Sequence, residues 1–127
     1  MTDLVACLST GKGTWTEVIK LIQTGTWDNV YLITNQFGKD NFKADEKTKL
    51  IVINDFEPIE KISQTIYNNL KGKIAWTDIA VNFVSGSGKE HMALLPALLK
   101  LGVGIRIVTV DDGKIKEVLF EDLQPKD

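Results

Sequence analysis

The chain has 127 residues, of which 43% are apolar and 25% charged, a balance that describes one compact globular domain and excludes a disordered, collagen-like or low-complexity chain. Its 15 basic and 17 acidic side chains leave a net charge of −2, so no global basic field exists to hold duplex nucleic acid non-specifically. A single cysteine, Cys7, and a single histidine, His91, exclude an intrachain disulfide and all but exclude a His/Cys zinc site, and they fit a reducing compartment.

The opening Met-Thr-Asp-Leu lacks the basic region and long apolar run of a signal peptide. No stretch approaches about 18 apolar residues, so the expectation is a cytoplasmic protein that does not engage a membrane. Leu4 to Leu8 (LVACL) is a short apolar run without polar alternation, the pattern of a strand buried on both faces. Ser9-Thr10-Gly11-Lys12-Gly13 ends it. Thr14 then suits a helix cap, with Glu17 three residues on as in a capping box, and Trp15, Val18, Ile19 and Ile22 recur at helical spacing. Gly25 stops that helix.

Residues 30–33 (VYLI) predict a second buried strand, and 34–48 a polar loop. Residues 50–53 (LIVI) predict a third strand. Pro58 suits a helix's first turn, and Ile59, Ile62, Ile66 and Leu70 mark one face of a helix that ends near Gly72. Residues 79–84 predict a fourth strand containing Asn82, followed by Ser85-Gly86-Ser87-Gly88. A helix over 89–101 carries Met92, Leu95, Leu98 and Leu99 and is kinked or broken at Pro96. Residues 103–110 predict a fifth strand. Asp112-Gly113 signals a tight turn into an antiparallel strand over 115–120, and 121–127 form a polar tail.

Strands alternating with helices predict a single domain over 1–120, a three-layer α/β sandwich with helices on both faces. Right-handed crossovers favour a mainly parallel sheet of order 3-2-1-4-5-6 with an antiparallel edge strand. In that order the first and fourth strands are neighbours whose connections diverge. That is the switch point at which open α/β sheets place their ligands.

The loops after those two strands each combine glycine, hydroxyls and one lysine ahead of a helix: Ser9, Thr10, Gly11, Lys12 and Gly13 in one, Ser85, Gly86, Ser87, Gly88 and Lys89 in the other. Glycine lets the backbone approach a ligand closely, and the free amides of a helix start attract an anion. Together they describe a phosphate site; the competing reading is two ordinary tight turns. Neither loop is a standard nucleotide signature. A Walker loop needs glycine where Phe83 stands and Ser or Thr where Glu90 stands, and a dinucleotide fingerprint needs glycine where Thr16 stands. Lys89 is the candidate for stabilising phosphate charge, against a solvated lysine. His91 is a candidate acid or base, against a surface histidine. Asn82 points to the switch point or ties the neighbouring loop. Trp15, ahead of Trp76, is a candidate for stacking on a base, against a place in the core. Arg106 reaches a ligand or a partner or caps a sheet edge, and Cys7 is inert packing.

The run Val81-Asn82-Phe83-Val84-Ser85-Gly86-Ser87-Gly88-Lys89, leading into Met92-Ala93-Leu94 and on to Leu101-Gly102 and Ile105-Arg106-Ile107-Val108, resembles the CRISPR-associated Rossmann fold (CARF) domain. The turn Cys7-Leu8-Ser9-Thr10-Gly11 resembles the first loop of the same family, and the order of elements is similar over nearly the whole chain. Ser-Gly-Ser-Gly stands here where that family often has Thr-Gly-Gly-Thr. The resemblance implies a homodimer that binds cyclic oligoadenylate across a two-fold axis, as a self-complementary patch would. It also implies a stand-alone ring nuclease, in which the ribose 2′-hydroxyl attacks the adjacent phosphate and leaves a 2′,3′-cyclic phosphate. Ser9 or Thr10 and Lys89 would be the catalytic residues, with no metal and no cofactor. Two alternatives stand beside it: a non-catalytic sensor or binding module for the cyclic nucleotide, and a small-molecule enzyme acting on a phosphorylated metabolite.

Overall fold

The computed structural model describes residues 2–8 and 12–118, with Lys12 described through its backbone. The elements are β1 (Leu4–Leu8), a 3₁₀ turn (Lys12–Thr14), α1 (Trp15–Thr24), β2 (Val30–Thr34), α2 (Gln36–Asn41), β3 (Thr48–Val52), α3 (Ile59–Leu70), β4 (Asp78–Asn82), α4 (Gly88–Leu101), β5 (Gly104–Asp111) and β6 (Lys114–Glu117). They form the expected α/β sandwich around a six-stranded sheet of order β3-β2-β1-β4-β5-β6. Every neighbouring pair is parallel except β5 and β6. That last pair turns through Asp112 (φ 53°) and Gly113 (φ 74°), the two positive φ values a tight Asp-Gly hairpin requires.

Side chains alternate between the two faces of the sheet. Val5, Cys7, Tyr31, Ile33, Ile79 and Val81 pack under α3 and α4, whereas Leu4, Ala6, Leu8, Val30, Leu32 and Ala80 pack under α1. β1 and β2 are buried along their whole length, as continuous apolar runs demand, but β3 is not: Lys49 and Val52 are exposed, because β3 lies at the sheet edge.

Several local expectations are overturned. The 34–48 stretch contains α2, because Asn35 Oδ1 accepts the Gly38 amide at 3.0 Å and starts a short helix. Gly38 lets that helix sit on the end of β2; a Cβ there would run into Thr34 Oγ1. The Thr14–Glu17 capping box does not form: Thr14 makes no side-chain cap, and the Glu17 carboxylate is drawn into the site described below. β4 stops at Asn82 rather than at 84, since the backbone turns there to form the next loop. α4 runs through Pro96 without a break. Proline frees the Met92 carbonyl, and Met92 and Pro96 both face outward, so water can satisfy it. The core face of α4 is Ala93, Leu94, Ala97 and Leu98, while Met92, Leu95 and Leu99 are exposed. Arg106, on β5 between β4 and β6, bonds to a carboxylate on one neighbouring strand and stands near one on the other, Glu117 at 2.8 Å and Asp78 at 3.9 Å.

Candidate functional site

β1 and β4 lie side by side, with Ala6 opposite Asn82, and their connections leave to opposite faces of the sheet. The turn after β4 presses against the end of β1. Gly86 has φ +100°, and a Cβ there would stand 2.6 Å from Cys7 Cβ and 2.8 Å from Glu90 Oε1. Glycine is therefore demanded twice, by backbone conformation and by space. Burial beneath this turn pushes the Cys7 thiol pKa far up, and the Glu90 carboxylate adds to the shift, so Cys7 is an unreactive packing residue.

The turn then becomes α4 through a complete capping box. Ser87 Oγ accepts the Glu90 amide at 3.1 Å, and Glu90 Oε1 accepts the Ser87 amide at 3.0 Å. Those two amides are occupied, so Gly88 and Lys89 are the first-turn amides left to a ligand. Ser85 is buried, its carbonyl accepts from His91 Nε2 at 2.8 Å, and its hydroxyl has no partner. Because a carbonyl only accepts, His91 carries its proton on Nε2; its ring also stands edge-on to Phe83 at 5.2 Å. Lys89 extends sideways, and its Nζ donates to the backbone carbonyl of Asp55 at 2.6 Å. Asp55 Oδ2 in turn accepts from Asn35 Nδ2 at 2.8 Å. One lysine thus links the start of α4 to the turns that follow β3 and β2.

On the α1 side Asn82 is buried. Its Nδ2 donates to the Val108 carbonyl at 2.9 Å and to Glu17 Oε2 at 3.4 Å, and its Oδ1 accepts the Val84 amide at 3.1 Å. Thr109 Oγ1 donates to the same Glu17 oxygen at 2.9 Å. Asn82 therefore ties the loop, β5 and α1 together, the second of its two expected roles.

Of the residues singled out from sequence, Asn82, Ser85, Gly86, Ser87, Gly88, Lys89 and His91 are gathered at this edge. Ser9, Thr10 and Gly11 lie outside the described residues, as does the Lys12 side chain. Gly13 is exposed in the 3₁₀ turn with open space around it. Trp15 is buried against Phe37 and Phe42, with both ring centroids 6.0 Å away, so its ring serves the core and is not offered for stacking. Trp76 precedes β4 and so lies toward the opposite edge of the sheet. The sequence offers Glu17 only as a local cap partner and gives no role to Asn35, Asp55 or Glu90. Ser87-x-x-Glu90 spells a capping box and Asn35-x-x-Gly38 a local cap, both legible signals; Glu17 with Asn82 and Thr109, and Asp55 with Asn35 and Lys89, meet only through the fold.

Chemically the edge offers the Lys89 ammonium, two helix-start amides and three carboxylates, those of Glu17, Asp55 and Glu90. Positive charge at this edge is thus concentrated at one point, Lys89, beside the two amides and among carboxylates. Among the described residues no three His, Cys, Asp or Glu side chains group as a metal site, and no helix is long and apolar enough to cross a membrane. A scan of protein-family models finds no match to this chain, and a search of the curated proteins finds none either.

Proposed function

We propose that the chain is a CARF-like domain that binds cyclic oligoadenylate at a homodimer interface and cleaves it without metal. The observation that carries this reading is Lys89, a residue of the first turn of α4 next to the switch point, whose long side chain lies against the Asp55 carbonyl and whose own amide, with that of Gly88, is not used by the capping box. In the cleavage step the ribose 2′-oxygen bonds to the adjacent phosphorus and the bond from phosphorus to the 5′-oxygen breaks. The 2′-hydroxyl gives up its proton and the 5′-oxygen takes one, leaving a 2′,3′-cyclic phosphate and a 5′-hydroxyl. Lys89 stabilises the charge that grows on the phosphorane oxygens, and Ser9 or Thr10 orients the phosphate from the neighbouring loop. The dimer is supported by exposed apolar side chains on one helix, Met92, Leu95 and Leu99 of α4, of the kind a self-complementary two-fold contact would cover. Incubation with cyclic tetra- and hexa-adenylate in EDTA tests the reading: linear products are expected. If the rings neither bind nor change, it falls.

A second reading, a binding module without turnover, is favoured by one specific feature. The side chains best suited to moving a proton or polarising a bond, His91 and Asn82, are already engaged in holding the loop. Tight binding of the rings without product, lost in Lys89→Ala, would select it.

A further inference from the structure

Phe56, in the turn between β3 and α3, has 94% of its surface in water. A ring so exposed contributes almost nothing to the core, yet the turn that carries it is held firmly. The Phe56 amide donates to Asn54 Oδ1 at 3.0 Å, the preceding Asp55 carboxylate accepts from Asn35, and the Asp55 carbonyl accepts from Lys89 at 2.6 Å. Phe56 stands at the rim of a cleft of about 370 Å³ at the carboxyl edge of β2 and β3, lined also by Asn35, Gln36, Val52, Ile53, Asn54 and Asp55. One aromatic side chain, two aliphatic residues and several amide or carboxylate groups make a lining for a flat heterocycle with a polar rim. The residue that closes the cleft on the Lys89 side is Asp55 itself.

We propose that this cleft is a purine-base subsite. The base stacks on Phe56 and turns its hydrogen-bond donors toward the Asp55 carboxylate, while the phosphate of the same nucleotide lies at Lys89; the inference rests on the phosphate reading of Lys89 given above. A purine is favoured over a pyrimidine because its larger face covers more of the ring. Loss of one base–aromatic stack weakens binding roughly 5- to 150-fold.

Backbone amide NMR of the full chain, titrated with AMP and separately with UMP, tests this. AMP is expected to move the amides of Asn35, Asp55 and Phe56 together with those of Gly88 and Lys89, and UMP to move the first group less. In Phe56→Ala the shifts in the cleft should vanish while those at Gly88 and Lys89 persist; Phe56→Trp should restore them. The base subsite is overturned if AMP moves only Gly88 and Lys89, if it moves nothing, or if Phe56→Ala responds as the wild type does. Shifts confined to the cleft would uphold the base subsite and overturn the phosphate at Lys89.

Discussion

Two turns at the same edge of the sheet are built in opposite ways. The turn after β4 is packed from beneath: Gly86 sits on Cys7, Ser87 and Glu90 cap each other, and His91 holds the Ser85 carbonyl. The turn after β3 is held by polar ties, with Phe56 out in solvent. The first turn resists deformation because moving it would create overlap and uncap a helix. The second can exchange one partner for another at little cost, because a ligand can replace a hydrogen bond but not a packed methylene. Lys89 belongs to the first turn and bonds to the second, so a phosphate that captures Lys89 competes directly with the Asp55 carbonyl.

Breaking that link should have the largest effect. Lys89→Met is expected to lower cleavage of cyclic oligoadenylate about 10²- to 10³-fold, the range for removal of one preorganised charge contact. It should cost at most about 1 kcal/mol of stability, the worth of a single hydrogen bond. Product formation in EDTA and a urea unfolding curve measure the two separately, and equal rates for variant and wild type would remove Lys89 from the chemistry.

Gly86→Ala attacks the packed turn. A left-handed backbone costs an L-residue about 1–2 kcal/mol, and the overlap with Cys7 and Glu90 adds about 1–3 kcal/mol. A loss of about 3 kcal/mol is expected, read from the urea midpoint; an unchanged midpoint would show that the turn gives way freely. Phe56→Ala supplies the contrast: stability should stay within about 0.5 kcal/mol of wild type, because the removed ring is almost wholly solvated.

Cys7 reports on the packed turn without altering it. Burial raises its pKa and shields it, so a thiol reagent should label it only as the protein unfolds, and labelling should accelerate in Gly86→Ala. Rapid labelling of the native wild type would contradict the packing described. The smallest effect lies at the opposite edge. Burial holds the Asp3 carboxyl above its usual 3.8, opposed by the hydrogen bond from Asn29. The folded state therefore keeps this proton more tightly than the unfolded chain does. The contribution to stability is present in full below 3.8 and is lost as the pH rises through the raised value. Asp3→Asn should flatten that acid limb in pH-dependent unfolding, while leaving both turns at the other edge unaffected.

The strand order was legible because each buried strand is a short unbroken apolar run, and because chirality restricts how parallel strands are joined. The hairpin at Asp112-Gly113 was legible for the same local reason, a backbone twist that few residue pairs accept. The α4 face was not legible: Met92, Leu95 and Leu99 are as apolar as the residues that reach the core, and composition does not tell which stripe of an apolar helix meets the sheet. Glu17 was misread because its spacing from Thr14 suits a local cap, and only the approach of β4 and β5 offered its carboxylate Asn82 and Thr109 instead.

Sequence alone therefore determined what short-range physics can settle: burial by unbroken hydrophobicity, turns by glycine and aspartate, and from these the layers and the order of the sheet. The tertiary structure decided which polar groups meet. Lys89 is 34 residues from Asp55 and Glu17 is 92 from Thr109, and no local pattern encodes such a meeting. A hydrogen bond needs its partners within about 3 Å, and the packed sheet is what brings residues so distant in the chain that close.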